Sequence, residues 1–306
     1  MKVGALSASG VHAAMSSRGI AIAAPPIIVR LRSPLRFLAD QIRALYGDYD
    51  VVDPEAFADV DVRMCVVGGV RRWRRPKVQF VVDGVAPFDP FPLENAMPMF
   101  EWGLNWAFSQ RANQNLLLHA SVVERDGRAI LFPAWPGSGK STLAGSLVCR
   151  GWRLLSDEFG IVPLGGASVI PFVRPIALKN ESIAVMRAFA PDAYIGPIFP
   201  ATRKGDVAHL RPTSLSTARS RESAPVHAVV FPNFQRDEPV SVQRLEPAKT
   251  FLKLAGNAFN YEVVGERGFS AVASIVRQSS SHIIHYGDLD GAHAALEEIL
   301  RATPDK

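Results

Sequence analysis

Apolar positions recur at three- and four-residue spacing from about Leu35 to Tyr46, the signature of an amphipathic helix, whereas Ile20 to Leu31 is a β-type run. A short helix is expected around Ser9 to Ser17, with strands near Val60 to Val67 and Val78 to Val82. Gly84 marks a turn within Asp83 to Ala86, and Pro87 to Pro98 reads as a connecting segment. Helical spacing resumes at about Met97 to Ala112, where Trp102, Trp106 and Phe108 are read as packing residues.

From Leu116 the texture becomes strand, turn, strand, loop, helix: LLLHASVVERDGRAILFPAWPGSGKSTLAGSLVCRG. Asp126 and Gly127 are a hairpin signal. The apolar strand Ala129 to Phe132 runs into a glycine loop, and a helix from about Lys140 to Cys149 is closed by Gly151. A strand is expected over Trp152 to Leu155 and a final helix over about Leu289 to Leu300, with Ser214 to Ser223 a polar, mobile loop. The expected organisation is an N-terminal α+β domain, 1–113, and an α/β domain, 114–306.

Composition changes this picture little. The 306 residues, 48% hydrophobic and 21% charged, suit a folded protein with a sizeable core. No apolar window approaches the roughly 18 to 20 residues of a membrane span, and the start has no continuous apolar run of a secretory signal, so a cytoplasmic protein is expected. Cys65 and Cys149 are read as reduced, buried thiols. The net charge of +5 draws attention to Arg71, Arg72, Trp73, Arg74, Arg75, Pro76 and Lys77. No nucleic-acid-binding signature accompanies this run, so it reads as a solvated turn before a nucleic-acid surface, with an acidic protein or a subunit contact the better-matched partner. A nucleic-acid binder, as a rival reading, would show affinity falling steeply with salt.

The chemistry is concentrated in the loop. Ala134 to Ser141, AWPGSGKS, has the spacing of a Walker A phosphate loop with alanine at the first glycine position. Gly137 and Gly139 allow the backbone to aim successive N–H groups at phosphate oxygens, and the next helix brings its positive N-terminus to the same anion. The candidate nucleotide-binding residues are therefore Ala134, Pro136, Gly137, Ser138, Gly139, Lys140, Ser141 and Thr142. Lys140 would bridge the β- and γ-phosphates and Ser141 would offer its hydroxyl to Mg2+.

Such a loop fits a GTPase, a transport ATPase or a kinase. Asp157 and Glu158 follow a strand-like stretch just past one helix, an order that predicts a second strand beside the loop strand with both carboxylates facing the phosphates. One acid can accept the proton of an attacking hydroxyl while the other holds Mg2+, directly or through water. His119, in LLLHAS, reads by pattern alone as a hydrogen-bonded core histidine.

His119, AWPGSGKST and RGWRLLSDE, in that order, resemble the HPr kinase/phosphorylase family. Over nearly its whole length the chain resembles the related group often called HprK-related kinase A, found with exosortase and PEP-CTERM sorting systems. The supporting stretches are EWGLNWAF, HASVVERDGRAI, RPIALKNESI, TRKGDVAHLRP and FNYEVVGERGF. The resemblance implies an α/β mixed-sheet P-loop fold like that of HPr kinase and phosphoenolpyruvate carboxykinase, and homo-oligomeric relatives. It implies that Asp157 is the acid/base, His119 an active-site residue, Lys140 and Ser141 the phosphate and metal groups, and Glu158 a metal-side carboxylate. Arg174, Lys179, Lys204 and Arg211 lie in its motif stretches as candidates to reach nucleotide or acceptor. Thr142 stands where HPr kinases carry an acid, and their C-terminal signature is not recognisable here, so phosphorylase activity and HPr as substrate are not implied. The expected function is ATP- and Mg2+-dependent transfer to a hydroxyl of a small protein, peptide or metabolite. The alternative is a nucleotide-binding sensor or assembly protein that transfers nothing.

Overall fold

The computed structural model describes residues 1–69, 74–133 and 137–302. In chain order the elements are α1 (Ala8–Ser16), β1 (Ile20–Ala24), β2 (Ile27–Arg32), α2 (Arg36–Leu45), β3 (Asp50–Val52), β4 (Val60–Val66), β5 (Lys77–Val82), β6 (Phe91–Pro92) and α3 (Ala96–Ser109). Next come β7 (Asn115–Arg125), β8 (Arg128–Pro133), α4 (Lys140–Cys149), β9 (Arg153–Ser156), β10 (Phe159–Pro163), β11 (Ser168–Val169), β12 (Ile176–Lys179) and α5 (Glu181–Phe189). They end with β13 (Phe199–Thr202), β14 (Gly205–Leu210), α6 (Ser214–Ala218), β15 (Ala224–Phe234), β16 (Ser241–Arg244), α7 (Pro247–Gly256), α8 (Tyr261–Gln278), β17 (Ser280–Tyr286) and α9 (Leu289–Arg301). The chain is mixed α/β, and among the described residues no helix is long and apolar enough to cross a membrane.

Two compact units form, interleaved along the sequence. The first gathers Met1–Arg111, Arg174–Arg187 and Asp192–Ala218. It holds a sheet ordered β3-β1-β2-β4-β5-β6 and a smaller one ordered β12-β14-β13. The β-type run from Ile20 to Leu31 forms a hairpin, because Pro25 and Pro26 cannot donate to a ladder and the chain reverses there. Leu38, Ala39, Ile42 and Leu45 form the buried stripe of α2, and α3 lies so close to β5 that a Cβ on Gly103 would strike the Phe80 ring. Within this core the Tyr46 hydroxyl donates to Glu101 Oε1 at 2.6 Å, while Arg174 donates to Glu101 Oε2 at 3.1 Å and to Asn105 Oδ1. Burial pushes the Glu101 carboxyl up, against the opposing pull of Arg174 and the Tyr46 hydrogen bond. The mobile loop expected at Ser214 to Ser223 begins as a helical turn, α6. The Thr213 hydroxyl accepts from the Ser216 N–H at 3.4 Å, so the polar run caps a helix rather than standing free.

The second unit comprises Ala112–Val173, Ala188–Pro191 and Arg219–Lys306. Its sheet runs β10-β7-β8-β15-β17-β16, with β9 also paired to β7 and β11 to β15. The β7–β8 hairpin closes at Arg125↔Arg128, and Asp126 and Gly127 both take positive φ, 53° and 76°, as a type I′ turn demands. Strands β8, β15 and β17 are parallel, so Pro133, Phe234 and Tyr286 end at one edge of the sheet. Leu118, Val122, Leu131 and Val229 pack there against Leu254, Ala271, Val272 and Ile275 from α7 and α8.

Candidate functional site

The glycine loop leaves the end of β8 and enters α4. Ala134 and Pro136 lie outside the described residues. Gly137 has φ 93°, and Gly139, the N-cap of α4, has φ 87° and ψ 1°, a left-handed conformation that glycine adopts without strain. Gly139 is also closely packed: a Cβ there would lie 2.7 Å from Tyr286 Oη and 3.1 Å from Phe234 Cβ. Lys140 is buried at 8% exposure in the first turn of α4, and Ser141 and Thr142 are half-buried beside it. Ser138 Oγ and Tyr286 Oη are buried without a hydrogen-bond partner. At its far end α4 stops at left-handed Gly151, whose N–H donates to Val148 O at 3.1 Å.

The carboxylates arrive from the other side of β7. This eleven-residue strand pairs with β8 along one edge and with both β9 and β10 along the other. The expectation that β9 adjoins the loop strand is thus corrected: β7 lies between them, because the tight Asp126–Gly127 turn folds β7 directly onto β8 before β9 is reached. Two antiparallel pairings in succession make β9 parallel to β8, so its C-terminal end still points the same way. A buried ion pair between Glu124 and Arg153, each 2% exposed, fixes the register of β9, and a bulge separates the Val122↔Ser156 and Val123↔Leu154 pairs. Asp157 and Glu158 then form the corner between Ser156 and Phe159, with the Ala120 N–H donating to Glu158 O at 3.3 Å. Ala120 in turn pairs with Pro133, the last residue of β8. The corner is level with the start of the glycine loop, two strand spacings or about 10 Å across the sheet.

Each acid has a partner on one face of β7. The Ser121 hydroxyl, fully buried, donates to Asp157 Oδ1 at 2.7 Å. His119 Nε2 lies 3.9 Å from Glu158 Oε1. The His119 main chain is clamped on both sides by Asn257, accepting from its side-chain amide at 2.8 Å and donating to its carbonyl at 2.9 Å, and its ring lies 5.2 Å from that of Phe259. His119 is therefore half-buried beside the acidic corner, not sealed within the core.

Chemically, the loop brings left-handed glycines and a lysine to a helix N-terminus, and the corner two strands away carries two carboxylates. The left-handed glycines and the partnerless hydroxyls of Ser138 and Tyr286 suit a polyphosphate. Among the described residues no group of three His, Cys, Asp or Glu side chains is placed to hold a metal ion. Mg2+ beside a polyphosphate takes only one or two protein oxygens, and Ser141 and Glu158 carry oxygens of the kind it would require.

The other sequence candidates behave differently. Arg174, Lys179, Lys204 and Arg211 belong to the first unit. Arg174 is engaged by Glu101 and Asn105, and Arg211 by Asp48 at 2.7 Å, so both guanidinium groups act as structural partners there. Arg71 to Trp73 lie outside the described residues, while Arg74, Arg75 and Lys77 are exposed at the connection from β4 to β5. Cys65 and Cys149 are free, half-buried thiols that burial pushes up. Sequence reasoning missed Ser121, Asn257 and Tyr286. Only Ser121 carried a signal, its two-residue spacing from His119, which puts both on one face of a strand.

Compared with protein-family models and with curated proteins, the chain matches none of them.

Proposed function

We propose that this chain is an ATP- and Mg2+-dependent phosphotransferase of the HPr-kinase-like P-loop type, acting on a hydroxyl of a small protein, a peptide or a metabolite. One observation carries the reading: a glycine cradle capping α4 and the Ser121-bound Asp157 corner belong to the same end of a single sheet.

In this reading the N–H groups of Gly137 to Lys140 and the Lys140 ammonium bind the β- and γ-phosphates. Ser141 and Glu158 would hold Mg2+, which supplies charge neutralisation between the phosphates. Asp157 receives the acceptor's proton as the acceptor oxygen bonds to the γ-phosphorus and the bond to the β-phosphate bridging oxygen breaks, releasing ADP. Ser121, by donating to Asp157 Oδ1, fixes the orientation of the carboxylate for this role. His119 orients Glu158 across 3.9 Å.

Incubation of the protein with γ-labelled ATP and a pool of hydroxylated metabolites or cell extract tests the reading. Lys140→Ala should lose nucleotide binding and transfer together, whereas Asp157→Asn should keep ATP binding and lose transfer. Full transfer in either variant would sink the assignment. Tight ATP binding by the wild type with no labelled acceptor would favour the sensor reading instead.

A further inference from the structure

The loop is bordered by two hydroxyls that the fold leaves without partners. Tyr286 ends β17 at 1% exposure, and its ring stands edge-on to Phe234 with centroids 5.5 Å apart. Its Oη reaches the place where any side chain on Gly139 would begin, and the buried Ser138 Oγ is on the adjoining residue. A buried hydroxyl without a partner bears its whole desolvation penalty, and phenylalanine would fill the same space without it. Packing in the unligated loop therefore gives no reason for the oxygen. Its placement is nonetheless firm: β17 is held to β15 through seven consecutive parallel pairs, the last being Phe234↔Tyr286. The segment that it touches leads straight to the α4 N-terminus and buried Lys140, where an anion is favoured. Burial also pushes the phenol well above its ordinary pKa, so it remains a donor.

Resting on the phosphotransferase reading above, we propose that Tyr286 is a positioning residue of the phosphate loop. Its hydroxyl gains a hydrogen-bond partner on the Ser138–Gly139 segment when a polyphosphate is bound, holding the loop in its ligated form. Glycine at 139 is required because only a residue without Cβ lets the hydroxyl approach.

Thermal melting and calorimetric titration of the full chain, wild type and Tyr286→Phe, with Mg·ATP and with inorganic tripolyphosphate, test this. The unligated variant should melt at or above the wild-type temperature, since the lost oxygen had no partner. Its affinity for both ligands should fall about three- to tenfold, the size of one hydrogen bond. A purely structural hydroxyl gives the reverse, a lower melting temperature with unchanged affinity, and that result overturns the proposal. Equal binding by the two proteins also overturns it while leaving the phosphotransferase reading intact. A wild type that binds neither ligand removes both.

Discussion

The hydroxyl of Ser121, buried beneath the acidic corner, donates to both Oδ1 and the main-chain carbonyl of Asp157, at 2.7 and 3.2 Å. A hydrogen bond to a charged group contributes about 1.5–3 kcal/mol. Ser121→Ala is thus expected to lower stability by about that amount in urea denaturation and, on the proposed function, to slow transfer about tenfold or more by freeing the carboxylate to turn. His209, on β14 of the other unit, makes a separate prediction. It is 1% exposed, and burial, assisted by the positive charge of Arg174, lowers its pKa from 6.5 to about 3. The folded ring is neutral while the unfolded one takes a proton near pH 6.5, so this contribution to stability is present above 6.5 and is lost as pH falls toward 3. Each unit of acidification in that window costs about 1.4 kcal/mol. Denaturant titrations at pH 7, 6 and 5 should show a slope that His209→Gln flattens.

At the scale of elements, the hairpin, the glycine loop and α4 were legible because their signals are local. Asp-Gly forces a type I′ turn, and glycine before lysine caps a helix in the left-handed region. The interposition of β7 between β8 and β9 was not legible, since it depends on which edges pair and not on what each segment is. Ser121 meets Asp157 across 36 residues, and Asn257 meets His119 across 138. Nothing in local spacing announces such contacts. The Glu124–Arg153 pair sets the register on which the corner depends. Arg153→Ala leaves buried Glu124 with only the longer pair to Arg219, at 3.7 Å, and the Gly127 N–H, and an unfolding free energy lower by up to about 3 kcal/mol is expected in denaturant melts. Gly139→Ala combines a φ of 87° with a Cβ 2.7 Å from Tyr286 Oη. About 1–2 kcal/mol of backbone strain alone is expected and, on the proposed function, loss of ATP affinity in titration.

For the whole molecule, the decisive fact is that the chain enters the first unit, leaves it, returns for Arg174–Arg187 and Asp192–Ala218, and leaves again. Arg174 returns to satisfy Glu101 and Asn105. A protein beginning at Ala112 would keep Arg174, Leu178 and Met186 but lack the residues among which Arg174 is paired. Such a truncation is expected to bind a hydrophobic dye and to elute as aggregates in size exclusion, whereas the full chain elutes as a defined species. Composition and pattern alone conveyed an α/β protein with a glycine loop between a strand and a helix, but an interleaved path has no compositional mark.

The strand that carries His119 and Ser121 is bordered on one side by two strands laid end to end, with two acids filling the gap between them. That gap has a set length. Exchanging one acid for another there alters reach while keeping the charge and leaving the ladder whole. Adding or deleting a single residue would turn β10 over, sending every inward side chain out. Insertions should therefore be tolerated in the Gly165–Gly166 turn and refused at the corner, which makes spelling, not size, the adjustable property of this site.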